Sequence, residues 1–219
     1  AGVVKAVGPE VTLFQPGDAV FYAGALDRPG TNAEFHLVDE RIVGRKPESL
    51  SFEQAAALPL TAITAYEAML HRMKVQEPVP GAANAILIIG GAGGVGSIAI
   101  QLARELTDLT VIATASRPET QAWIRDLGAH HVIDHSQPLA PQVEALGLGS
   151  PAFVFSTTET EQHLDDILAL IAPQGRFCLI DDPKNPMDLR PFKRKALSIH
   201  WELMFTRSLY QTEDMIEQH

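Results

Sequence analysis

The 219-residue chain is 46% hydrophobic and 20% charged, the composition of a folded globular protein with enough length to bury a core. Its formal charge of -10 disfavours nucleic acid or an anionic membrane surface as partner, because attraction to phosphate needs a basic face. No stretch is long and apolar enough to span a bilayer, no signal-peptide pattern opens the chain, and the lone Cys178 rules out an internal disulfide framework, so a reducing cytoplasm is expected.

The chain opens on strand-like residues, Ala1-Gly2-Val3-Val4, and closes on Gln218-His219 inside a predicted helix, so both ends read as interior to a longer sequence. Short β segments are expected at 2–7, 19–22, 33–38 and 42–46, separated by turns at Gly8-Pro9, Pro16-Gly17-Asp18 and Arg28-Pro29-Gly30. They suggest a fragment of a barrel or sandwich. Ser51 followed by Gln54 is a capping box for a helix to about residue 58, and a second helix is expected over 61–72. Gln76-Glu77-Pro78-Val79-Pro80-Gly81 reads as a linker, dividing a β-rich domain over 1–80 from a second domain over 81–219.

Beyond the linker, strands and helices alternate. A buried strand over 85–89 runs into a glycine turn and a helix. A strand at 110–115, a helix at 119–127 stopped by Gly128, and a short strand at 131–133 follow. Next come a helix at 139–146, a strand at 152–156, and a helix to 171 opened by a Thr158–Glu161 capping box. Strands at 175–180 and 195–203 and the first turns of a helix at 212–219 complete the pattern. Apolar strands alternating with amphipathic helices predict an α/β domain built on a doubly wound parallel sheet.

Gly91, Gly93 and Gly96 fit G-x-G-x-x-G at the glycine turn: a tight turn, a close approach of backbone to pyrophosphate, and close packing of helix on strand. Gly94 and Val95 open a helix whose N–H groups and dipole suit phosphate. Such a turn also serves simply to let a helix pack. The strand before it and the helical spacing of Ile98, Leu102 and Leu106 after it supply the context of a nucleotide site.

NAD-binding sheets place a carboxylate about 20 positions past the first glycine, at the tip of the second strand. Here that tip reads Ala115-Ser116-Arg117. Ser116 can donate to a 2′-phosphate and Arg117 can meet its charge, so NADPH is expected over NADH, the alternative being that Arg117 is a solvated loop cation beside Glu119. The same strand-end geometry makes Ser156, Thr157 and Ile180 candidate neighbours of nicotinamide and His135 a candidate neighbour of adenine, with turn and surface roles as alternatives.

Several segments, in order, resemble the medium-chain dehydrogenase/reductase superfamily over essentially the whole chain: Gly2-Val3-Val4 through Gly8, Val11, Phe14, Gly17-Asp18-Ala19-Val20, Ala55-Ala56-Ala57-Leu58-Pro59, Thr64-Ala65-Tyr66-Glu67-Ala68, Gly90 to Gly96, and Leu127-Gly128-Ala129. The resemblance is to the zinc-lacking, quinone-oxidoreductase-like branch, whose members often carry zinc-type alcohol dehydrogenase labels. It implies a Rossmann NADP-binding domain over 81–219 and part of a GroES-like catalytic domain over 1–80, with earlier strands and a C-terminal return segment lying outside the chain. It further implies reduction of a small carbonyl, quinone or enone substrate. Thr64, Tyr66 and Tyr22 become candidate cleft hydroxyls, packing being the alternative at each. A homodimer joined through the sheet-edge strand 196–203 is implied as well.

Zinc sites need Cys, His or carboxylate ligands converging tetrahedrally. Zinc-dependent members of the superfamily carry a four-cysteine lobe ahead of the nucleotide domain, whereas residues 21–81 contain no cysteine, so no zinc is expected. A carbonyl must then be activated by hydrogen bonds and fixed dipoles while nicotinamide delivers hydride. An alcohol or aldehyde dehydrogenase of the same superfamily, and a non-catalytic NADPH-binding sensor or scaffold, remain the rival readings.

Overall fold

A computed structural model describes residues 1–219, which pack as two units: Ala1–Ile63 with Leu203–His219, and Thr64–Glu202. In the first, β1 (Gly2–Val3) pairs antiparallel with β2 (Ala19–Phe21), and β2 with β3 (Gly44–Arg45). Phe14, Val20 and Val43 make its small core. The strands are shorter than the sequence implies, and the expected strand at 33–38 does not form: Phe35 and Leu37 stay exposed with no sheet to alternate against. Residues Glu40–Ile42 form a 3-10 turn capped by Asp39, whose carboxylate accepts from Arg41 N at 2.9 Å. The Ser51–Gln54 capping box is present at the start of α1 (Phe52–Ala56).

α2 (Pro59–Tyr66) leads into the second unit, and its helix widens at once into a π turn over Glu67–Arg72 where continuous α-helix was expected. Met73 N reaches back to Ala68 O at 2.9 Å, the longer-range bond of a π turn.

The second unit holds β4 (Ala83–Ile89), β5 (Thr110–Thr114), β6 (His131–Ile133), β7 (Pro151–Ser156), β8 (Arg176–Leu179) and β9 (Ser198–Trp201). They form one parallel sheet in the order β6-β5-β4-β7-β8-β9. Alternate residues of β4 serve opposite faces. Ile86 and Ile88 pack with Ala99, Ile100 and Ala103 of α3 (Gly94–Leu106) and Ile124 of α4 (Pro118–Asp126). Ala85, Leu87 and Ile89 pack with Leu139 and Val143 of α5 (Leu139–Ala145) and Ile167 of α6 (Thr160–Leu170). This is the doubly wound Rossmann arrangement, and strand order reverses between β4 and β7, where a crevice opens at the carboxyl ends of the strands.

Packing divides the chain elsewhere than the Pro-rich linker. Ala65, Ala68, Met69 and Met73 share a core cluster with Ile86, so the second unit begins at Thr64 rather than at residue 81. Residues 203–219 belong to the first unit. They form α7 (Thr206–Tyr210) and a 3-10 turn at Met215–Gln218, where a single helix from 212 was expected. Arg207 is buried there and binds Asp214 and Glu217 at 2.9 and 2.7 Å. The Thr158–Glu161 capping box is also replaced: Glu159 takes a left-handed conformation (φ 52), and Thr160 N donates to Asp181 Oδ2 at 2.9 Å. Glu161 instead accepts from Lys184 N and Asn185 Nδ2, each at 2.6 Å. No helix is long and apolar enough to cross a membrane.

Candidate functional site

β4 ends at Ile89 and the chain turns through Gly90, whose φ of 79° an L side chain adopts only with strain. Thr157 and Thr158 occupy the space a Cβ would take there. Gly91 N donates to Thr114 O at 3.1 Å and Gly93 N to Gly90 O at 3.0 Å, which closes the turn. Gly93 is the N-cap of α3 and brings no side chain, so the Gly94 and Val95 amides have no intrahelical acceptor and sit at the positive end of the helix dipole.

A cleft of about 610 Å³ opens over this turn. Gly93, Gly94, Val95, Ser116, Arg117, His135, Thr157 and Ile180 line it, as do Gly90, Ala92, Ala115, Thr120 and Thr158. Gly91 and Gly96 are outside that lining and shape the turn rather than face the opening. Ser156 is fully buried and outside the lining. Its Oγ bonds Thr160 Oγ1 at 2.7 Å, and Thr160 in turn donates to Asp181, so Ser156 anchors the start of α6.

One contributor invisible to a motif search is Thr114. It is fully buried at the end of β5, and its Oγ1 accepts from Gly90 N at 3.0 Å and lies 3.0 Å from His135 Nδ1. The ring of His163, buried on α6, stands 6.5 Å away, and burial followed by the His135 charge pushes its pKa down. Thr120 is the other omission. It lies three residues past Arg117 on a helix opening at Pro118, a helical spacing that the sequence does contain, and its Oγ1 donates to Arg117 O at 2.9 Å.

Arg117 is the N-cap residue of α4, with its side chain 70% exposed and its Nε 3.2 Å from Glu119 Oε1. Its guanidinium stands at the rim of the cleft, and no carboxylate is among the cleft-lining residues. Trp123 donates from Nε1 to Ser97 Oγ at 2.9 Å, bridging α4 to α3.

The candidate hydroxyls fall in different units. Tyr22, in the first, is hydrogen bonded to His36 Nδ1 at 3.0 Å and stacks on that ring at 5.6 Å, and burial raises its pKa. His36 Nε2 meets Pro29 O at 2.7 Å; a carbonyl only accepts, so Nε2 carries the proton and Tyr22 donates to Nδ1. In the second unit Thr64 is buried, and Tyr66 is exposed and set edge-on to His71 at 5.5 Å. No three His, Cys, Asp or Glu side chains converge as a metal site would require.

A protein-family model described as zinc-binding dehydrogenase matches residues 94–218. A zinc-type alcohol dehydrogenase-like protein of Staphylococcus aureus (strain MSSA476) is 42% identical over 219 residues, covering 100% of this chain and 65% of the relative. The chain thus spans about 65% of the length of such curated relatives. A crystal structure from Rhizobium etli CFN 42, described as a zinc-dependent alcohol dehydrogenase protein, superposes with a TM-score of 0.97 at 72% identity, covering 99% of this chain and 63% of that one. The quinone oxidoreductase of Thermus thermophilus, solved alone and with NADPH, superposes with a TM-score of 0.64 at 28% identity, covering 83% and 55% of the two chains.

Proposed function

The chain belongs to the zinc-binding dehydrogenase family of the medium-chain dehydrogenase/reductase superfamily, and from that premise we propose that it binds NADPH and that the whole protein transfers hydride, without zinc, to a quinone or an enone. The observation that carries the cofactor reading is the rim of the cleft: Ser116, Arg117 and Thr120 gather where NAD-binding sheets place a carboxylate. The Thermus relative solved with NADPH supports it.

When bound, the dinucleotide supplies the hydride. The chain's own residues bind and orient it. The amides of Gly94 and Val95 would receive the pyrophosphate at the start of α3, Ser116 and Arg117 would receive the 2′-phosphate, and His135 would face the adenosine side. Thr157 and Ile180 wall the cleft beyond the strand ends. Tyr22 in the first unit, and Thr64 and Tyr66 in the second, are each proposed separately as a hydroxyl that orients a carbonyl in the whole protein.

The zinc-free reading is supported by this chain's own residues, in which no three His, Cys, Asp or Glu converge and the one thiol, Cys178, is buried. An alcohol or aldehyde dehydrogenase is the second reading, favoured by the description of the Rhizobium structure. Metal analysis of the whole protein separates the two: stoichiometric zinc whose removal by chelator stops turnover would establish the second. A sensor or scaffold role would show as tight NADPH binding with no turnover on quinones, enones or aldehydes. We further propose a homodimer through the open edge of β9, and a reducing cytoplasm as the setting for the free thiol.

Parallel fluorescence titrations of this chain with NADPH and NADH test the core of the proposal. Preferential NADPH binding is the expected result; equal affinity, unchanged by Arg117→Ala, would remove it.

A further inference from the structure

Tyr22 and His36 form a closed pair within the first unit. Tyr22 directly follows β2, and His36 lies in the extended stretch ahead of the 3-10 turn at Glu40–Ile42; both are half-buried, and their rings stack with 18° between the planes. With His36 neutral, Pro29 O takes the Nε2 proton at 2.7 Å and Nδ1 offers only a lone pair, so the phenol donates to it at 3.0 Å. A phenol has one proton. Committed to Nδ1, that proton cannot be offered to a carbonyl.

Protonation of His36 reverses the bond. Nε2–H stays with Pro29 O, the new Nδ1–H donates to Tyr22 Oη, and the phenol proton is free to point away from the pair. The reversed bond is charge-assisted and draws electron density from the phenol oxygen, which makes its O–H the stronger donor. Histidine is the side chain that takes up a proton between about pH 5 and 8. The Tyr22 phenol stays protonated there, since burial raises its pKa above the ordinary tyrosine value. One group titrates while the other only reorients.

The charged groups that share a small cavity of about 60 Å³ with His36 are Asp27, Arg28 and Asp39. Asp39 is bound by Arg41, whose Nη2 stands 2.7 Å from its Oδ2, while Asp27 and Arg28 are adjacent and opposite in sign. Ser208, Gln211 and Met215, which α7 and the turn after it bring to the same cavity, are uncharged. No uncompensated charge therefore fixes the ring in either state.

We propose that His36 is a positioning residue for Tyr22, its protonation turning the phenol from a donor held inside the pair into a donor available to a substrate carbonyl. The catalytic half of the proposal rests on the hydride-transfer reading. Reduction of a quinone or enone needs one proton as well as hydride. The phenol O–H breaks as the new O–H on the substrate forms, and His36 Nδ1–H breaks as the phenol O–H is remade. Both side chains end neutral, so His36 has supplied the proton, and the electron pair has come with the hydride of the reduced dinucleotide. The His36 ring is only half-buried, so water restores its proton. Donation by Tyr22 is thus present in mild acid and lost as pH rises through the titration of His36.

The reversal is read without nucleotide, by nuclear magnetic resonance of this chain labelled at tyrosine Cζ and at the histidine ring nitrogens. The chain has 3 tyrosines, so Tyr22→Phe and His36→Phe suffice to assign the pair. As pH falls from about 8 to about 5, His36 Nδ1 is expected to change from a bare to a protonated nitrogen, and the Tyr22 Cζ signal to shift with the same midpoint. In His36→Phe, which keeps the ring stack and has neither nitrogen, the Tyr22 signal is expected to stay flat. An unresponsive Tyr22, or a midpoint different from that of His36, would overturn the proposal. In the whole protein with saturating NADPH, kcat on a quinone or enone is expected to fall about tenfold more in the wild type than in His36→Phe between about pH 6 and about pH 8. Parallel profiles would overturn the catalytic half even where the spectra show the reversal. No turnover at any pH would instead remove the hydride-transfer reading and the catalytic half with it, the reversal being decided by the spectra. Should His36→Phe fail to fold, the shared midpoint in the wild type decides.

Discussion

Gly96, in the first turn of α3, rests directly on Gly90: a Cβ added to Gly96 would overlap the Gly90 carbonyl oxygen and come within 2.7 Å of Gly91 Cα. Both obstacles are backbone in a closed turn and cannot swing aside. Gly96→Ala is therefore expected to push α3 off β4, costing about 1–3 kcal/mol of stability by overpacking. It should also abolish nucleotide binding, because the amides of Gly94 and Val95 move with the helix. Chemical denaturation and NADPH titration of the variant check both effects; an unchanged affinity would show that the helix start does not hold the phosphates.

Arg117 and Glu119 form an exposed ion pair at the rim of the cleft. Replacing Arg117 by Ala is expected to weaken NADPH about tenfold while leaving NADH unchanged, roughly 1.4 kcal/mol for one charge-assisted contact. Glu119→Gln frees the guanidinium and should tighten NADPH by about two- to fivefold, the small gain appropriate to a solvated pair. Isothermal titration with each cofactor reads both variants, and the Glu119 effect should fade with added salt.

Thr114 joins the glycine turn to His135. Thr114→Val keeps the shape but leaves the Gly90 amide without its acceptor and releases the imidazole, with an expected cost of about 1–3 kcal/mol and a weaker nucleotide affinity. Thr114→Ser retains the hydroxyl and is expected to restore most of both. A valine variant as tight-binding and as stable as the wild type would deny the hydroxyl its role.

β9 is one of the two edge strands of the sheet, with Trp201 51% exposed at its end. If two copies join there, Trp201→Lys should shift the chain from dimer towards monomer in light scattering without loss of helical signal. A wild type that is monomeric at every accessible concentration would dismiss this interface.

Much of the nucleotide unit is legible in the sequence because its signals are local. The run Ile86-Leu87-Ile88-Ile89, short, rich in β-branched residues and stopped by Gly90, reads as a strand buried on both faces, and the glycine spacing encodes the turn that follows. The Ser51–Gln54 box was readable for the same reason, since both partners lie within one turn. Where a rival partner comes from afar, local reading fails. Thr158 and Glu161 carry the capping pattern, but Asp181 reaches Thr160 from the next strand end and wins the helix start. Residues 33–38 alternate like a strand, yet no neighbouring strand presents an edge to them.

The sequence by itself determined the alternation of strands and helices, the phosphate turn, and the absence of a carboxylate at the tip of β5, because each depends on residues within a few positions of one another. Only the tertiary structure decided which of the candidate side chains reach the cleft. It turned Ser156 into the core, brought Thr120 to the rim, tied Thr114 to His135, and joined Arg72 to Glu202 across more than half of the chain. Such pairings depend on sheet order and on how helices settle over it, and those are properties of packing among distant segments rather than of any one of them.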